Sequence, residues 1–263
     1  MPLNRHLRGD LKRKLSNNEL TLGSWLTINH QSVVEIMATA GFEWLCIDIE
    51  HSAISISDVL NLIGHIQGNG MQALVRVNEN NPVIIKQVMD AGADGVIVPM
   101  VNSIQDAERS VASVRYPSVG SRGVGLSRAQ NYGIGFTEYQ EWLKNDAVII
   151  AQIEHINAVN ELSGILDVPG IDGIIVGPYD LSASMGYPGE FDRADVVEAL
   201  KKVDTICLEK GSPLGFHVIS SDHTKTLEKI NVGYTFLAVS LDFFFLGDSA
   251  RKEMSELRKA TKK

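Results

Sequence analysis

The stretch "MQALVRVNENNPVIIKQVMDAGADGVIVPM" (residues 71–100) has two apolar, β-branched runs on either side of a segment with helical spacing. The runs "MQALVRV" (71–77) and "DGVIVPM" (94–100) predict strands, and residues 82–91 between them predict a helix. A strand, a crossover helix and a second strand form a βαβ unit, in which the two strands are parallel. This stretch therefore predicts the α/β fold class.

The same alternation continues along the whole chain. Six further apolar runs predict strands: "LGSWLT" (22–27), "EWLCIDIE" (43–50), "AVIIAQIE" (147–154), "IDGIIVG" (171–177), "SPLGFHV" (212–218) and "TFLAVS" (235–240). Helical spacing predicts helices over 32–41, 57–68 and 104–114, and another that ends near residue 166. Eight strand and helix units in about 250 residues are typical of a (β/α)₈ barrel, or TIM barrel. An open doubly wound sheet is the alternative, but its G-x-G-x-x-G pattern is missing after the first strand, so we predict one (β/α)₈ barrel domain over residues 1–263.

The composition excludes several classes of protein. The net charge is −8 and the basic residues are scattered, which argues against nucleic acid as the main partner. No run approaches the roughly 20 apolar residues that a membrane span needs, and residues 1–20 lack the apolar core of a secretory signal, so we expect no membrane partner and a cytoplasmic location. Cys46 and Cys207 form no C-x-x-C pair, which argues against a disulfide framework or a thiolate zinc site.

Three charged or ionisable side chains lie close together at the end of the second predicted strand. Asp48 and Glu50 share one face of that strand because side chains alternate along it, and His51 follows at the loop. In (β/α)₈ barrels the active site lies at the carboxyl ends of the strands. Solvated loop residues or helix caps would give the same pattern at any single position, so the interpretation depends on the whole set.

Three other strands also end in polar residues. Arg76 ends the third strand, Gln152 and Glu154 share a face of the fifth, and Asp180 follows the sixth in "GPYDLS". Carboxylates on two strands suit Mg²⁺ or Mn²⁺, which prefer oxygen ligands and keep water in the coordination shell, whereas zinc would more often recruit His or Cys. His155 would face away from its neighbour Glu154, and we expect a structural or indirect role for it. Together these residues predict a divalent cation, a base and a group that binds an anion.

At these residues the sequence resembles the HpcH/HpaI aldolase family, the metal-dependent (class II) pyruvate aldolases. The resemblance rests on "GSWLT", "IDIEH", "ALVRV", "AGADGVIVPMV", "YPSVGSRGVG", "QIEH", "LDVPGIDGIIVGPYDLSASMGYPG" and "AVSLD" in this order. These motifs cover nearly the whole chain, and residues 152–189 are the most specific part. The chain departs from the family in three places on the aldehyde side of the site. It has "RVN" where the family often has Pro after the Arg of the third strand, and "HSAIS" where the family often has Gly-Pro or Ala-Pro after "EH". "GLSRAQNYG" replaces a Trp-containing run.

The resemblance implies a set of roles for the site residues. Glu154 and Asp180 would hold a divalent metal (Mg, Mn or Co). His51, assisted by Asp48, and Arg76 would be catalytic. Gln152, Tyr179 and Asp180 would contact the substrate. It further implies a homo-oligomer, a trimer or hexamer, whose last helix is exchanged between subunits. The run Phe243 to Leu246 agrees with a subunit contact, although a buried helix start would explain four apolar residues equally well.

The activity that the resemblance implies is reversible cleavage of a 4-hydroxy-2-oxo acid to pyruvate and an aldehyde. The same metal-enolate chemistry would also serve a citrate-lyase-like acyl-CoA lyase, for which Arg122 and Arg128 offer a thin basic patch, or an oxaloacetate decarboxylase. The long irregular stretch 116–135 predicts a flexible loop over the site, and we expect residues 121–135 and residues of a neighbouring subunit to set the choice of aldehyde.

Two further readings use none of this chemistry. A Schiff-base aldolase needs a lysine at a strand end, but Lys86, Lys144, Lys201 and Lys225 all fall in predicted helices. A non-catalytic barrel that binds small acids would have no reason to keep the base, the arginine and the two carboxylates together. Both readings are therefore less favoured than the metal-dependent aldolase.

Overall fold

The computed structural model describes residues 10–261. The expectation that residues 1–20 form no secretory signal falls partly on residues 1–9, which lie outside the described residues. Eight parallel strands close into a barrel in chain order, each pairing with the next and β8 with β1. The strands are β1 (Thr21–Leu26), β2 (Trp44–Asp48), β3 (Gln72–Arg76), β4 (Gly95–Val98), β5 (Val148–Ile153), β6 (Gly173–Val176), β7 (Leu214–Val218) and β8 (Phe236–Leu241). The predicted (β/α)₈ TIM barrel is confirmed.

Helices pack against the barrel, most of them on its outer face. They are α1 (Leu11–Ser16), α2 (Gln31–Thr39), α3 (Ile56–Gly68), α4 (Pro82–Asp90), α5 (Ile104–Val114), α6 (Phe136–Asn145), α7 (Ile156–Leu166), α8 (Pro178–Ser184), α9 (Ala194–Lys210), α10 (His223–Val232) and α11 (Asp242–Thr261). Local sequence explains where they begin: Ser55 and Asp58 form a capping box at α3, and the Asn81 side chain caps α4 with Pro82 in its first turn. No helix in the described part of the chain is both long and apolar enough to cross a membrane.

Glycines make room for two large aromatic rings inside the barrel. Trp44 on β2 and Phe236 on β8 are fully buried and stack with ring centroids 4.6 Å apart. A Cβ on Gly23 would lie 2.0 Å from the Trp44 ring, and one on Gly215 would lie 2.8 Å from Phe236. The barrel interior is therefore a filled core, with room for ligands only at its mouth.

Helix α1 closes the amino-terminal end of the barrel. Its Leu11 and Leu15 are buried in the same cluster as Trp44 and the other inward-facing side chains. The Leu11 main-chain N–H donates to Oε1 of Gln72 at 2.8 Å, which satisfies one of the unpaired donors of a helix start. This leaves the carboxyl ends of the strands as the open end of the barrel.

Helix α11 leaves the barrel soon after it begins. Asp242 accepts hydrogen bonds from the main-chain N–H groups of Thr27 and Ile28, both at 2.7 Å, and so fixes the helix start to the end of β1. Further along, Leu246 is 67% exposed and Met254 and Leu257 are each 49% exposed. The exchange of this helix between subunits stays a prediction.

Candidate active site

A cavity of about 360 Å³ opens at the carboxyl ends of the strands. Six of the predicted site residues line it: Asp48, His51, Arg76, Gln152, Tyr179 and Asp180. Period-two alternation explains why three of them do so. Cys46, Leu74 and Ile150 point into the barrel core, and the next inward positions on the same strands are Asp48, Arg76 and Gln152.

Asp48 and Arg76 form a two-point ion pair in the floor of the cavity. Arg76 Nε donates to Asp48 Oδ1 at 3.0 Å and Nη2 donates to Oδ2 at 2.7 Å, with the guanidinium 4.3 Å from the centre of the Trp25 ring. Burial raises the pKa of Asp48, but the hydrogen bonds and charge of Arg76 outweigh it, so the pKa lies below its usual value. The carboxylate therefore stays ionised and holds the guanidinium in one orientation.

The loop after β2 holds His51 at the edge of the cavity. Asp48 Oδ1 accepts from the main-chain N–H groups of Glu50 and His51 at 3.0 and 3.2 Å. The carboxylate nearest the imidazole is that of Glu50, whose Oε2 lies 3.7 Å from His51 Nε2 and 3.3 Å from Arg76 Nε. Asp48 thus positions the loop that carries His51, while Glu50 faces the ring. The alternation of side chains had placed Glu50 on the face of Asp48, but only the distances reveal its partner.

Glu50 is a partly buried carboxylate with one unsatisfied oxygen. Its Oε2 atom is buried and accepts no hydrogen bond from residues 10–261. Burial raises the pKa of Glu50 to about 7; the charge of Arg76 lowers it, and the charges of Glu154, Asp48 and Asp180 raise it. This side chain therefore exchanges its proton near neutral pH.

Glu154 lies just below the cavity and is 2% exposed. Its Oε1 accepts from the main-chain N–H of Met100 at 2.7 Å, and Gln152 Nε2 donates to its Oε2. A Cβ on Gly177 would lie 3.1 Å from that second oxygen, so glycine keeps the space beside it open. Burial raises the pKa of Glu154, Gln152 and Met100 lower it, and the charge of Asp180, in the first turn of α8, raises it further.

The donor set at this end of the barrel fits a hard divalent cation. Glu50, Glu154 and Asp180 carry like charges whose mutual repulsion a cation would offset, and all their donor atoms are oxygens. Between residues 10 and 261, no three His, Cys, Asp or Glu side chains lie close enough together to form a complete ligand set. A metal at Glu154 and Asp180 would therefore need water or substrate oxygens to complete its shell, which suits Mg²⁺ or Mn²⁺.

Residues 21–247 match the model of the HpcH/HpaI aldolase/citrate lyase family. The chain belongs to this family. It is 35% identical over 242 residues to the 2-keto-3-deoxy-L-rhamnonate aldolase of Klebsiella pneumoniae, with 91% of this chain and 90% of the relative covered. It is 32% identical over 254 residues to the Escherichia coli K12 protein of the same name, with 96% and 94% covered. A crystal structure of a family member from Burkholderia cenocepacia superimposes with a TM-score of 0.89 at 31% identity, covering 94% of this chain and 98% of the other.

Membership confirms the family resemblance and makes the chain an enzyme of the carbon–carbon lyase class. A more distant structure, the citrate lyase β subunit of Mycobacterium tuberculosis with oxaloacetate and magnesium, has a TM-score of 0.55 at 12% identity and shares the fold alone. It covers 88% of this chain and 95% of the other.

Arg122 and Arg128, the thin basic patch that an HpcH/HpaI enzyme acting on CoA esters would use, make contacts within the chain instead. Arg122 is 3% exposed and donates from Nη2 to Asp90 Oδ1 at 3.1 Å and to the Tyr139 hydroxyl at 2.7 Å. Arg128 donates to the main-chain oxygen of Ala91 at 3.0 Å. Both guanidinium groups serve internal contacts that fix residues 116–135 to the barrel.

Other expectations for this family member can be checked at the same site. His155 caps α7 by accepting from the main-chain N–H of Asn157 at 3.1 Å, so its structural role is confirmed. Every lysine between residues 10 and 261 lies on a helix, and none lines the cavity, which agrees with the exclusion of a Schiff base. Of the described residues that line the cavity, none comes from 116–135, so the expected loop over the site is wrong within one protomer.

Proposed function

We propose that this protein catalyses the divalent-metal-dependent, reversible retro-aldol cleavage of a 4-hydroxy-2-oxo acid to pyruvate and an aldehyde. The observation that carries the proposal is the cavity floor, where the fixed guanidinium of Arg76 lies beside carboxylates that repel one another. When a 2-oxo acid forms an enolate, a cation and a hydrogen-bond donor at its C2 oxygen stabilise the negative charge that develops there.

Glu154 and Asp180 would hold the divalent cation, Mg²⁺, Mn²⁺ or Co²⁺. When bound, it would polarise the C2 carbonyl and stabilise the pyruvate enolate. Arg76 keeps Nε and Nη2 on Asp48 and so has the N–H groups of Nη1 left to donate to the C2 oxygen. Gln152 keeps Glu154 in place, and Tyr179 and Asp180 line the cavity where the substrate carboxylate would lie.

His51 would remove the proton from the C4 hydroxyl group. Its side chain is 60% exposed at the cavity edge, where it can reach a substrate that enters from solvent. The nearby Glu50 carboxylate would stabilise the imidazolium that forms, and Asp48 would hold the loop through its main-chain contacts.

The substrate class follows from the relatives named as 2-keto-3-deoxy-L-rhamnonate aldolases. We propose a 2-oxo-3-deoxy sugar acid of this kind for the present chain, cleaved to pyruvate and a short hydroxyaldehyde. Oxaloacetate decarboxylation would be a side activity, because it passes through the same pyruvate enolate. Acyl-CoA cleavage is less favoured, since Arg122 is buried and both Arg122 and Arg128 donate hydrogen bonds within the chain.

The deciding experiment measures pyruvate release from a panel of 4-hydroxy-2-oxo acids. Release should vanish with EDTA and return with Mg²⁺, Mn²⁺ or Co²⁺, and the Glu154→Gln variant should need far more metal. Pyruvate release without metal, together with a pyruvate adduct on the enzyme that borohydride traps, would instead indicate a Schiff base.

We further propose that the chain works as one barrel domain in the cytoplasm and forms a homo-oligomer, a trimer or hexamer. The exposed apolar side chains of α11 support a subunit contact of the exchanged-helix kind. The net charge of −8 argues against nucleic acid, and we propose small 2-oxo acids and aldehydes as the ligands, with no membrane partner.

A further inference from the structure

The cavity has two chemically different sides. Its reactive groups lie on or directly after strands β2 to β6, whereas the ends of β7 and β8 and the first turn of α11 contribute apolar side chains. We call these the apolar wall, which consists of Ile219, Leu241, Phe243 and Phe244. The rings of Phe243 and Phe244 have centroids 4.7 Å apart, and Phe243 is 44% exposed although it lines the cavity. The proposed reaction assigns this wall no role.

The polar groups beside the apolar wall are bonded to one another. The Thr27 hydroxyl donates to Asp242 Oδ1 at 2.7 Å, and the Ser240 hydroxyl donates to the main-chain oxygen of Ile219 at 3.1 Å. His217 on β7 also lines the cavity, but its Nε2 atom, unpaired among residues 10–261, is buried rather than at the cavity surface. Neither hydroxyl has a second proton to donate. A ligand oxygen that lay against the wall would therefore lose water without gaining a donor from them, which is costly.

The order of the strands around the barrel indicates which part of the substrate reaches the apolar wall. In the proposed function, the metal at Glu154 and Asp180 holds C2 near the ends of β5 and β6. Arg76 at the end of β3 donates to the C2 oxygen, and His51 after β2 faces the C4 hydroxyl group. Beyond β2, the next strands around the closed barrel are β1 and β8. The carbons after C4, which become the tail of the aldehyde, would therefore lie against the wall.

We propose that the apolar wall selects the aldehyde, with Phe243 and Phe244 as specificity-determining residues that contact its tail. The wall favours aldehydes that end in an alkyl group over aldehydes of the same size that end in a hydroxyl or carboxylate group. Phe245 is the natural comparison, because it follows on the same helix but packs against Phe42 with ring centroids 6.2 Å apart. It is not among the described residues that line the cavity. This inference rests on the proposed function.

The test measures the aldol reaction of pyruvate with two aldehydes of matched size, 2-hydroxybutanal and glyceraldehyde, of the same configuration at C2. The first ends in a methyl group where the second has a hydroxyl group. The wild-type kcat/KM should be about 10-fold higher for 2-hydroxybutanal. In Phe243→Asn and in Phe244→Asn this preference should fall to about 2-fold or less, because each variant supplies a polar partner where the wall supplies none.

Two controls separate selection by the apolar wall from general damage to the enzyme. Exchange of the C3 protons of pyruvate for deuterium, followed by NMR in D₂O with Mg²⁺, reports enolate formation and needs no aldehyde. It should stay within about 3-fold of wild type in both variants. Phe245→Asn makes the same side-chain change next to the wall; it should lower stability through its contact with Phe42 but keep the preference between the aldehydes.

Each other outcome has a distinct meaning. The proposal for the wall is wrong, and the proposed function stands, if wild-type enzyme exchanges pyruvate protons but shows no preference or accepts neither aldehyde. It is equally wrong if Phe243→Asn keeps the preference, or if Phe245→Asn loses it as fully. Phe243→Asn decides alone if Phe244→Asn unfolds, since Phe243 is half exposed. If wild-type enzyme with metal exchanges no pyruvate protons, the proposed function itself is wrong.

Discussion

The orientation of Arg76 depends on its two-point ion pair with Asp48. Two hydrogen bonds, at 3.0 and 2.7 Å, need the planar fork of a guanidinium, which lysine does not have. Arg76→Lys should therefore lower kcat/KM for retro-aldol cleavage by about 10²-fold, because the donor to the C2 oxygen loses its orientation. Metal affinity, measured by calorimetry, should stay within about 3-fold of wild type. Full activity in Arg76→Lys would show that the guanidinium takes no part in catalysis.

His51 should behave as a base that does not hold the metal. Its imidazole is at the cavity edge, and Glu50 is the carboxylate beside it. His51→Ala should lower aldol turnover by about 10²–10⁴-fold, which is the usual contribution of a general base. Oxaloacetate decarboxylation requires no removal of a hydroxyl proton and is the internal control; it should keep most of its rate. A large loss of metal affinity in this variant would contradict the assignment.

Glu50 makes the stability of the metal-free protein depend on pH. Its pKa of about 7 in the folded state lies above the usual value of 4.5, so between these values the folded state binds more protons than the unfolded state. Stability is therefore greatest at low pH within this window and falls as pH rises through 7, by about 1–2 kcal/mol between pH 5.5 and 8. Denaturant unfolding in EDTA should show this decline, and Glu50→Gln should reduce it. Equal slopes for the two proteins would mean that other carboxylates cause it.

The candidate site was predictable from sequence only where its residues follow strand periodicity. Asp48, Arg76 and Gln152 were placed correctly because inward positions recur every second residue. The contact between Glu50 and His51 and the unpaired nitrogen of His217 depend on side-chain distances across separate strands and loops. No spacing rule along one strand contains that information.

At the scale of elements, all eight strands begin and end within two residues of their predicted bounds. Strand and helix periods differ enough for the alternation to be read from one sequence. The stretch 116–135 was misjudged because its glycines suggested mobility, whereas Arg122 holds it through Asp90 and Tyr139. Contacts of that kind join residues that are far apart in the chain and leave no local pattern.

Glycines in the barrel core and at a helix end should tolerate substitution very unequally. A Cβ on Gly23 would lie 2.0 Å from the ring of Trp44, which is fully buried and stacked on Phe236. Gly23→Ala should therefore cost about 3 kcal/mol or more in the free energy of unfolding, because the filled core cannot move aside. Gly68, at the end of α3, has nothing within 4 Å of its Cβ position and is the matched control. Gly68→Ala should leave the free energy of unfolding unchanged or slightly higher; equal losses for both variants would contradict the packing argument.

At the scale of the whole molecule, α11 links the active site to a surface that a single protomer leaves uncovered. Phe243 and Phe244 in its first turn line the cavity. Leu246, Ala250, Met254 and Leu257 follow at intervals of four, four and three residues, which forms one stripe along the helix. Leu246, Met254 and Leu257 are each about half exposed or more, which is costly for a stripe that faces water.

A second subunit is therefore expected on this stripe, and its removal should affect assembly first and catalysis second. Light scattering coupled to size exclusion should give a trimer or hexamer for the wild-type protein, and Leu246→Glu should shift it to smaller species. Lys252→Glu reverses a charge on an exposed position of the same helix outside the stripe and should leave the mass unchanged. Because Phe243 and Phe244 lie in the cavity wall, the dissociated variant should also show a raised KM for the 4-hydroxy-2-oxo acid. A wild-type protein that is monomeric at micromolar concentration would show that α11 needs no partner and that its first turn alone shapes the cavity.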